Sequence, residues 1–259
     1  QAYDMFLQGK EAFLKFNYPE ARAVLENAVE LDATFAIAHL WLGFAYNALA
    51  MRDARQEAYK RAFEHQDRAT EQDRFLIQYQ YAVNEEKDEE KGYKILLEMK
   101  EKFPANGAAH ILLGGYYEAK LMWKKAIEEY LVLVELEGNS IGFATNNLGY
   151  LYLRIGEKDK ALEMFKRYAS KLPGDANPLD SIAETYFQMG RLEDAISNYR
   201  AALEIRPDFG SGLALGYIYA LKEDYSKTMS SIEGFIDKAP SPGIAVFGYA
   251  WKAFYCSLL

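Results

Sequence analysis

Small and apolar residues recur along this chain at a fixed long period. The string Leu-Gly-x-x-Tyr occurs four times, at Leu42-Gly43-x-x-Tyr46, Leu113-Gly114-x-x-Tyr117, Leu148-Gly149-x-x-Tyr152 and Leu215-Gly216-x-x-Tyr219. A weakened copy is Ile182-Ala183-x-x-Tyr186, and Gly9 stands one period before Gly43. About twelve residues after each of these positions comes a small residue, followed four later by a bulky one, as in Ala126 with Tyr130, Ala161 with Phe165 and Ala195 with Tyr199. A helix stop then arrives at Pro104, Gly138, Pro173, Pro207 or Pro240. Spacings of three and four put side chains on one face of a helix, so each period predicts two antiparallel helices, A and B.

The spacing also predicts how the helices meet. The small residues at the eighth and twentieth positions of each unit lie where A and B cross, and the Tyr and Phe positions fill the space between successive pairs. In unit six this makes Ile182, Tyr186, Ala195, Tyr199 and Ala202 core. Burying each large member contributes roughly 1.5–3 kcal/mol. Pro207 follows a B helix because proline cannot continue it. Gly156 and Gly190 sit at A-to-B turns, where a left-handed residue ends the first helix. Asn17-Tyr18-Pro19-Glu20 reads as a helix start with proline in the first turn.

The pattern resembles the tetratricopeptide-repeat (TPR) family, whose signature of Trp-x-x-Leu-Gly-x-x-Tyr, Ala-x-x-x-Phe and Pro runs over about 34 residues. The resemblance covers essentially the whole chain, in units 2–35, 36–69, 73–106, 107–140, 142–175, 176–208 and 209–242, with a last helix over 243–259. It implies an all-α fold, a single right-handed superhelical solenoid of about seven helix-turn-helix units. The family's Trp position is filled by His39, Leu76, His110, Thr145 and Leu179. Unit three departs most: Gln80 replaces the glycine, Gly92 replaces the alanine, and Thr70 to Gln72 are inserted before it.

Composition narrows the function classes. The 30 basic and 38 acidic side chains leave a formal charge of −8. An acidic chain without a Lys/Arg cluster argues against nucleic acid and against an anionic membrane surface as partners. The same charge weighs against an RNA-binding pentatricopeptide array, whose units also run one residue longer. One cysteine, Cys256, excludes a disulfide framework within the chain and fits a reducing, cytoplasmic setting; a removed leader would instead mean the periplasm. The first residue is Gln1 and not Met, which predicts a processed or partial chain. No stretch of about 20 apolar residues predicts a membrane span.

No catalytic constellation stands out, so the expectation is a non-enzyme with no cofactor and no metal. His39 and His110 occupy the family's Trp position two repeats apart and read as packing residues, while His65 ends a B helix, where an imidazolium suits the dipole. The run Glu85-Glu86-Lys87-Asp88-Glu89-Glu90-Lys91 reads as a solvated turn. Gly114-Gly115 lies mid-helix and is no phosphate loop, and Cys256 reads as a structural thiol.

In the TPR family the A helices line the concave face. Carried over unit by unit, the inward positions include Trp41, Phe44, Arg74, Tyr81, Asn146, Asn147, Tyr150, Glu184 and Tyr217. Phe44, Tyr81, Tyr150 and Tyr217 share the ninth position and form an aromatic row suited to binding a peptide or partner protein; the alternative is that these rings only fill space between adjacent A helices. Lys10, Arg74 and Arg154 are scattered, unlike the clustered set that grips chaperone C-terminal carboxylates. The last helix is apolar nearly all round, with Phe247, Trp251 and Phe254 as an oligomer or cap surface, whereas a solenoid cap is polar outside. The leading expectation is therefore a protein–protein interaction scaffold. The competing one is an oligomerisation or sensory segment of a larger bacterial-type signalling protein.

Overall fold

A computed structural model describes residues 1–136 and 141–258. Gly138, expected above to stop a helix, lies outside the described residues. The described chain is all-helical, with no strand. The helices are α1 (Ala2–Leu14), α2 (Tyr18–Leu31), α3 (Ala36–Ala48), α4 (Arg52–Glu64), α5 (Glu71–Tyr81), α6 (Glu89–Lys102), α7 (Gly107–Ala119), α8 (Trp123–Glu135), α9 (Ile141–Arg154), α10 (Lys158–Lys171), α11 (Ala176–Gln188), α12 (Leu192–Ile205), α13 (Ser211–Leu221), α14 (Tyr225–Lys238) and α15 (Pro242–Leu258). They fall into two compact units, residues 1–116 and 117–259, with the division inside α7.

In the first unit α1 pairs with α2 and α3 with α4, and α2 also packs on α3. Phe6, Ala21, Leu25, Ala38 and Leu42 form one buried cluster, and Leu40, Tyr59, Ala62 and Ile77 another. In the second unit α9 pairs with α10, α11 with α12 and α13 with α14, and α15 packs on α14. There Phe165, Ile182, Tyr186, Tyr199, Leu215 and Tyr219 build a core that runs through three successive hairpins.

The glycine of the repeat has a more specific role than a crossing of two small residues. A Cβ on Gly43 would overlap the Tyr59 ring, and one on Gly149 would overlap the Phe165 ring. In these two hairpins the bulky residue of the B helix therefore fills the notch left by the glycine of the A helix. Phe165 is fully buried there.

Every A-to-B turn carries one left-handed residue at the fifteenth position of its unit. They are Phe16, Ala50, Lys87, Leu121, Gly156, Gly190 and Glu223, with φ between 57° and 83°. The next residue's N–H bonds the carbonyl five positions back: Met51 to Tyr46 (2.9 Å), Met122 to Tyr117 (2.8 Å), Glu157 to Tyr152 (2.9 Å), Arg191 to Tyr186 (2.9 Å) and Asp224 to Tyr219 (2.9 Å). This 6→1 bond satisfies a carbonyl that the helix end would leave unpaired. The signature tyrosine is thus a backbone acceptor as well as a core residue. Its ring is also covered by a cation: Lys125 on Tyr117, Lys160 on Tyr152, Arg191 on Tyr186 and Lys227 on Tyr219, at 4.5 to 5.7 Å.

The third hairpin departs in the way its sequence suggests. Thr70 caps α5 by accepting from the Asp73 N–H at 3.2 Å, so Glu71 and Gln72 form its first turn. After α5 the chain widens into a π-helical turn, Ala82–Glu86, and the closing bond spans six residues, Asp88 N–H to the Ala82 carbonyl at 2.9 Å. Gly92 on α6 takes the notch role, since a Cβ there would sit 2.6 Å from Val83 Cγ2. Glu86 to Lys91 are exposed around this turn, while Glu85 at its start is half-buried: Asp88 caps α6 through the Lys91 N–H at 2.9 Å, and Lys91 pairs with Glu86 at 2.6 Å.

Candidate functional site

Two of the three histidines tie turns to helices. His39 is buried and its Nε2 donates to the Ala33 carbonyl at 3.0 Å; His110 is buried with its Nε2 2.8 Å from the Pro104 carbonyl. Each reaches the carbonyl six residues earlier, in the loop that enters its own helix. Burial pushes the His39 imidazole below its ordinary range, opposed by the Ala33 bond. Among the described residues no group of three or more His, Cys, Asp or Glu is placed to hold a metal ion. No described helix is long and apolar enough to cross a membrane.

In the first unit the candidate residues lie on α3 and α5. Trp41 and Phe44 are half-buried and meet edge-on with centroids 5.6 Å apart; Phe13 of α1 lies 5.5 Å from Trp41, and the Lys10 ammonium sits 4.9 Å over the Trp41 ring. Tyr81 lies flat on Phe63 of α4 at 4.0 Å, so one face of its ring is spent on a neighbouring helix. Arg74 is half-buried, and its Nε has no hydrogen-bond partner.

In the second unit the A helices α9, α11, α13 and α15 form a continuous strip of side-chain contacts. On α9, Asn147 donates to its own helix at the Phe143 carbonyl (2.8 Å), and Asn146 accepts from Asn177 of α11 (3.4 Å). Tyr150 packs edge-on against Phe165 at 5.0 Å. Its hydroxyl lies 2.9 Å from the Ser181 hydroxyl, which itself donates to the Asn177 carbonyl; Tyr150 is therefore the donor. Asp180 accepts from the Ser211 hydroxyl of α13. Burial holds the Asp180 carboxyl above its usual range, the Ser211 bond opposes this, and Glu184 one turn on adds to it. Burial also raises the Tyr150 hydroxyl; the Ser181 contact opposes this, and Glu184 and Asp180 add to it.

The strip opens toward α15. Phe187 meets Tyr217 at 5.8 Å, Tyr217 meets Trp251 at 6.1 Å, and Trp251 meets Phe254 at 6.2 Å. Tyr217, Ala250, Trp251, Phe254 and Tyr255 line an open apolar recess of about 390 Å³. Tyr217 is 40% exposed, Trp251 37% and Phe254 51%, while Tyr255 is buried beneath and stacks on Trp251. Trp251 falls 34 residues after Tyr217 and so extends the ninth-position row into α15. Phe247, 62% exposed, lies outside this recess. Asn177 and Ser211 were not singled out by the sequence. Asn177 holds the second position of its unit, as Arg74 does in its own, so the register could have found it, whereas Ser211 falls at the third position, outside the inward set; Tyr255 was legible only as one of the apolar residues of the last helix.

Comparison with known proteins agrees with the fold. Tetratricopeptide-repeat family profiles match residues 144–176 and 177–209. Tetratricopeptide repeat protein 37 of Xenopus laevis is 24% identical over 214 residues, which is 78% of this chain and 13% of that protein. The chain therefore spans only a small part of that relative's length. Among solved structures, the C-terminal part of a TPR protein from Cytophaga hutchinsonii superposes with a TM-score of 0.60 at 16% identity, over 94% of this chain and 98% of the other. The APC/C hetero-tetramer Cut9-Hcn1 gives a TM-score of 0.63 at 17% identity, over 88% of this chain and 42% of the other. Residues 144–209 thus carry two tetratricopeptide repeats, and the described chain shares the helical-repeat fold of the TPR structures on which it superposes.

Proposed function

We propose that this protein is a non-catalytic interaction scaffold that holds a peptide or partner protein on its A-helix face, with residues 117–259 carrying the main site. The observation that supports this reading most is the open recess between α13 and α15. Tyr150 and Tyr81 each give a ring face or hydroxyl to a neighbouring helix, whereas Tyr217, Trp251 and Phe254 leave large aromatic area in water. Aromatic rings of that kind supply contact area at small entropy cost and dominate binding hot spots. The test is binding to an array of random dodecapeptides by the chain and by its Tyr217→Ala and Trp251→Ala forms. Loss of at least about tenfold in affinity with unchanged helicity is expected, as for hot-spot truncations of 1.4 kcal/mol or more. Unaltered binding by both variants would sink the reading.

A second reading is favoured by a separate observation. Val246, Phe247 and Tyr249 of α15 are all more than half exposed, and exposed apolar side chains on a terminal helix suit protein contacts. Self-association through the Phe247 side of α15 predicts a dimer in light scattering that Phe247→Glu converts to monomer. A monomer at all concentrations in the parent chain counts against it.

A further inference from the structure

We propose that the α9–α15 face docks an extended protein segment that carries a basic side chain and, a few residues away, a large apolar anchor. Glu184 receives the cation, and the Tyr217–Trp251–Phe254 recess takes the anchor. This inference rests on the reading of that face as the partner site, and it names the partner's chemistry.

The argument is one of charge complementarity beside an apolar recess. The four helices α9, α11, α13 and α15 carry four charged residues in all: Arg154, Asp180, Glu184 and Lys252. Both basic ones are engaged elsewhere. Arg154 lies 5.2 Å over the Trp123 ring of α8, and Lys252 pairs with Glu233 of α14 at 2.7 Å. The two carboxylates are on adjacent turns of α11 and have no cationic partner among the described residues; Asp180 takes a hydroxyl from Ser211 and Glu184 an amide from Gln188 at 3.2 Å. Glu184 stands at the ninth position between Tyr150 and Tyr217 in the row, one turn before Phe187, whose ring contacts Tyr217. A segment ending in an acidic run would bring like charge against this pair, and like-charge juxtaposition is a strong discriminator between partners.

Geometry adds a spacing. Packed helices stand about 8–10 Å apart, so Glu184 on α11 and a recess between α13 and α15 are separated by about 12–15 Å. Extended chain advances about 3.3 Å per residue, which places the basic residue about three to five positions from the anchor. The amides of Asn146 and Asn177 lie at the α9 end of the same strip, where a segment's backbone offers partners.

The experiment uses the full 259-residue chain and fluorescein-labelled nine-residue peptides, read by anisotropy. Each peptide carries one Trp and one Arg separated by one to seven positions in a Gly/Ser background, with matched Arg→Glu and Arg→Gln peptides. The expected result is tightest binding at separations of three to five. The Arg peptide should exceed its Glu counterpart by about tenfold, and about fivefold of this should vanish in Glu184→Gln or at high salt, as for an exposed ion pair. Tyr217→Ala should weaken Arg, Gln and Glu peptides alike. Equal binding of Arg and Glu peptides, or an Arg preference untouched by Glu184→Gln, overturns this inference while leaving the scaffold reading intact. No binding by any peptide, with Trp251→Ala indistinguishable from the parent, overturns both.

Discussion

The third and fifth hairpins solve one packing problem in opposite ways. In α9–α10 the notch is on the A helix, where Gly149 admits the buried ring of Phe165. In α5–α6 it is on the B helix, where a Cβ on Gly92 would overlap Val83 and come within 3.4 Å of the Tyr79 ring. Gln80, the residue that breaks the signature, stands where that notch is no longer needed. These two hairpins each leave out one Cβ at the crossing, on one helix or the other, whereas α11–α12 crosses on the buried alanines Ala183 and Ala195. The turns of the third and fifth hairpins differ as well. The fifth hairpin closes with a bond five positions back beside Gly156, while the third takes the wider π-helical turn.

The comparison can be broken at the notch first. Gly149→Ala forces a methyl into a ring held on all sides, and overpacking of this kind costs about 1–3 kcal/mol. Gly92→Ala meets a valine methyl on the irregular turn and falls at the low end of that range. Urea unfolding of the two variants checks the order, and equal costs would mean that the third hairpin is as rigid as the fifth.

The turn gives the next effect. Gly156→Ala puts a side chain at φ +83°, which costs about 1–2 kcal/mol. Lys87→Gly should do the reverse and raise stability by up to about 1 kcal/mol, since left-handed backbone is strained for a side-chain-bearing residue. Leu121→Gly is a cleaner form of the same test, because Leu121 is 68% exposed and gives up little packing. A lower thermal midpoint in both glycine variants would contradict the turn argument.

The smallest effect is a pH dependence carried by His39. Its folded-state affinity for a proton lies below that of an ordinary histidine, through burial first and then the nearby His65 and Arg61, with the Ala33 carbonyl and Asp32 opposing. The unfolded chain therefore binds the proton more tightly. The stabilisation is complete above the ordinary value of 6.5 and falls away as pH drops below it. Thermal midpoints at pH 8 and pH 5 should differ more in the parent than in His39→Gln. An identical difference would remove His39 from the account.

The all-helical fold was legible because its information is local and periodic. Leu148, Gly149 and Tyr152 fall on one helix face by spacing alone, and the proline and glycine stops bound the helices. The turns were legible only at Gly156 and Gly190. Phe16, Ala50, Lys87, Leu121 and Glu223 adopt the same left-handed conformation with no glycine to announce it, because the register of the two helices imposes the turn whatever residue fills it. The candidate face was legible as a row of ninth positions but not as a surface. Nothing in the spacing distinguishes Tyr81, flat against Phe63, from Tyr217, open beside Trp251.

By itself, then, the sequence determined that the chain is helical, that it repeats, and which small residues let helices approach, since each of these follows from side-chain size and period along one strand of text. The tertiary structure alone decided which helix carries the notch in the third hairpin, which aromatic rings are consumed by packing, and which carboxylates lack a cation among the described residues. Those outcomes depend on what neighbouring helices bring to the same point in space, and residues about 30 positions apart, such as Tyr150 and Ser181 or Tyr217 and Trp251, meet only after the hairpins have stacked.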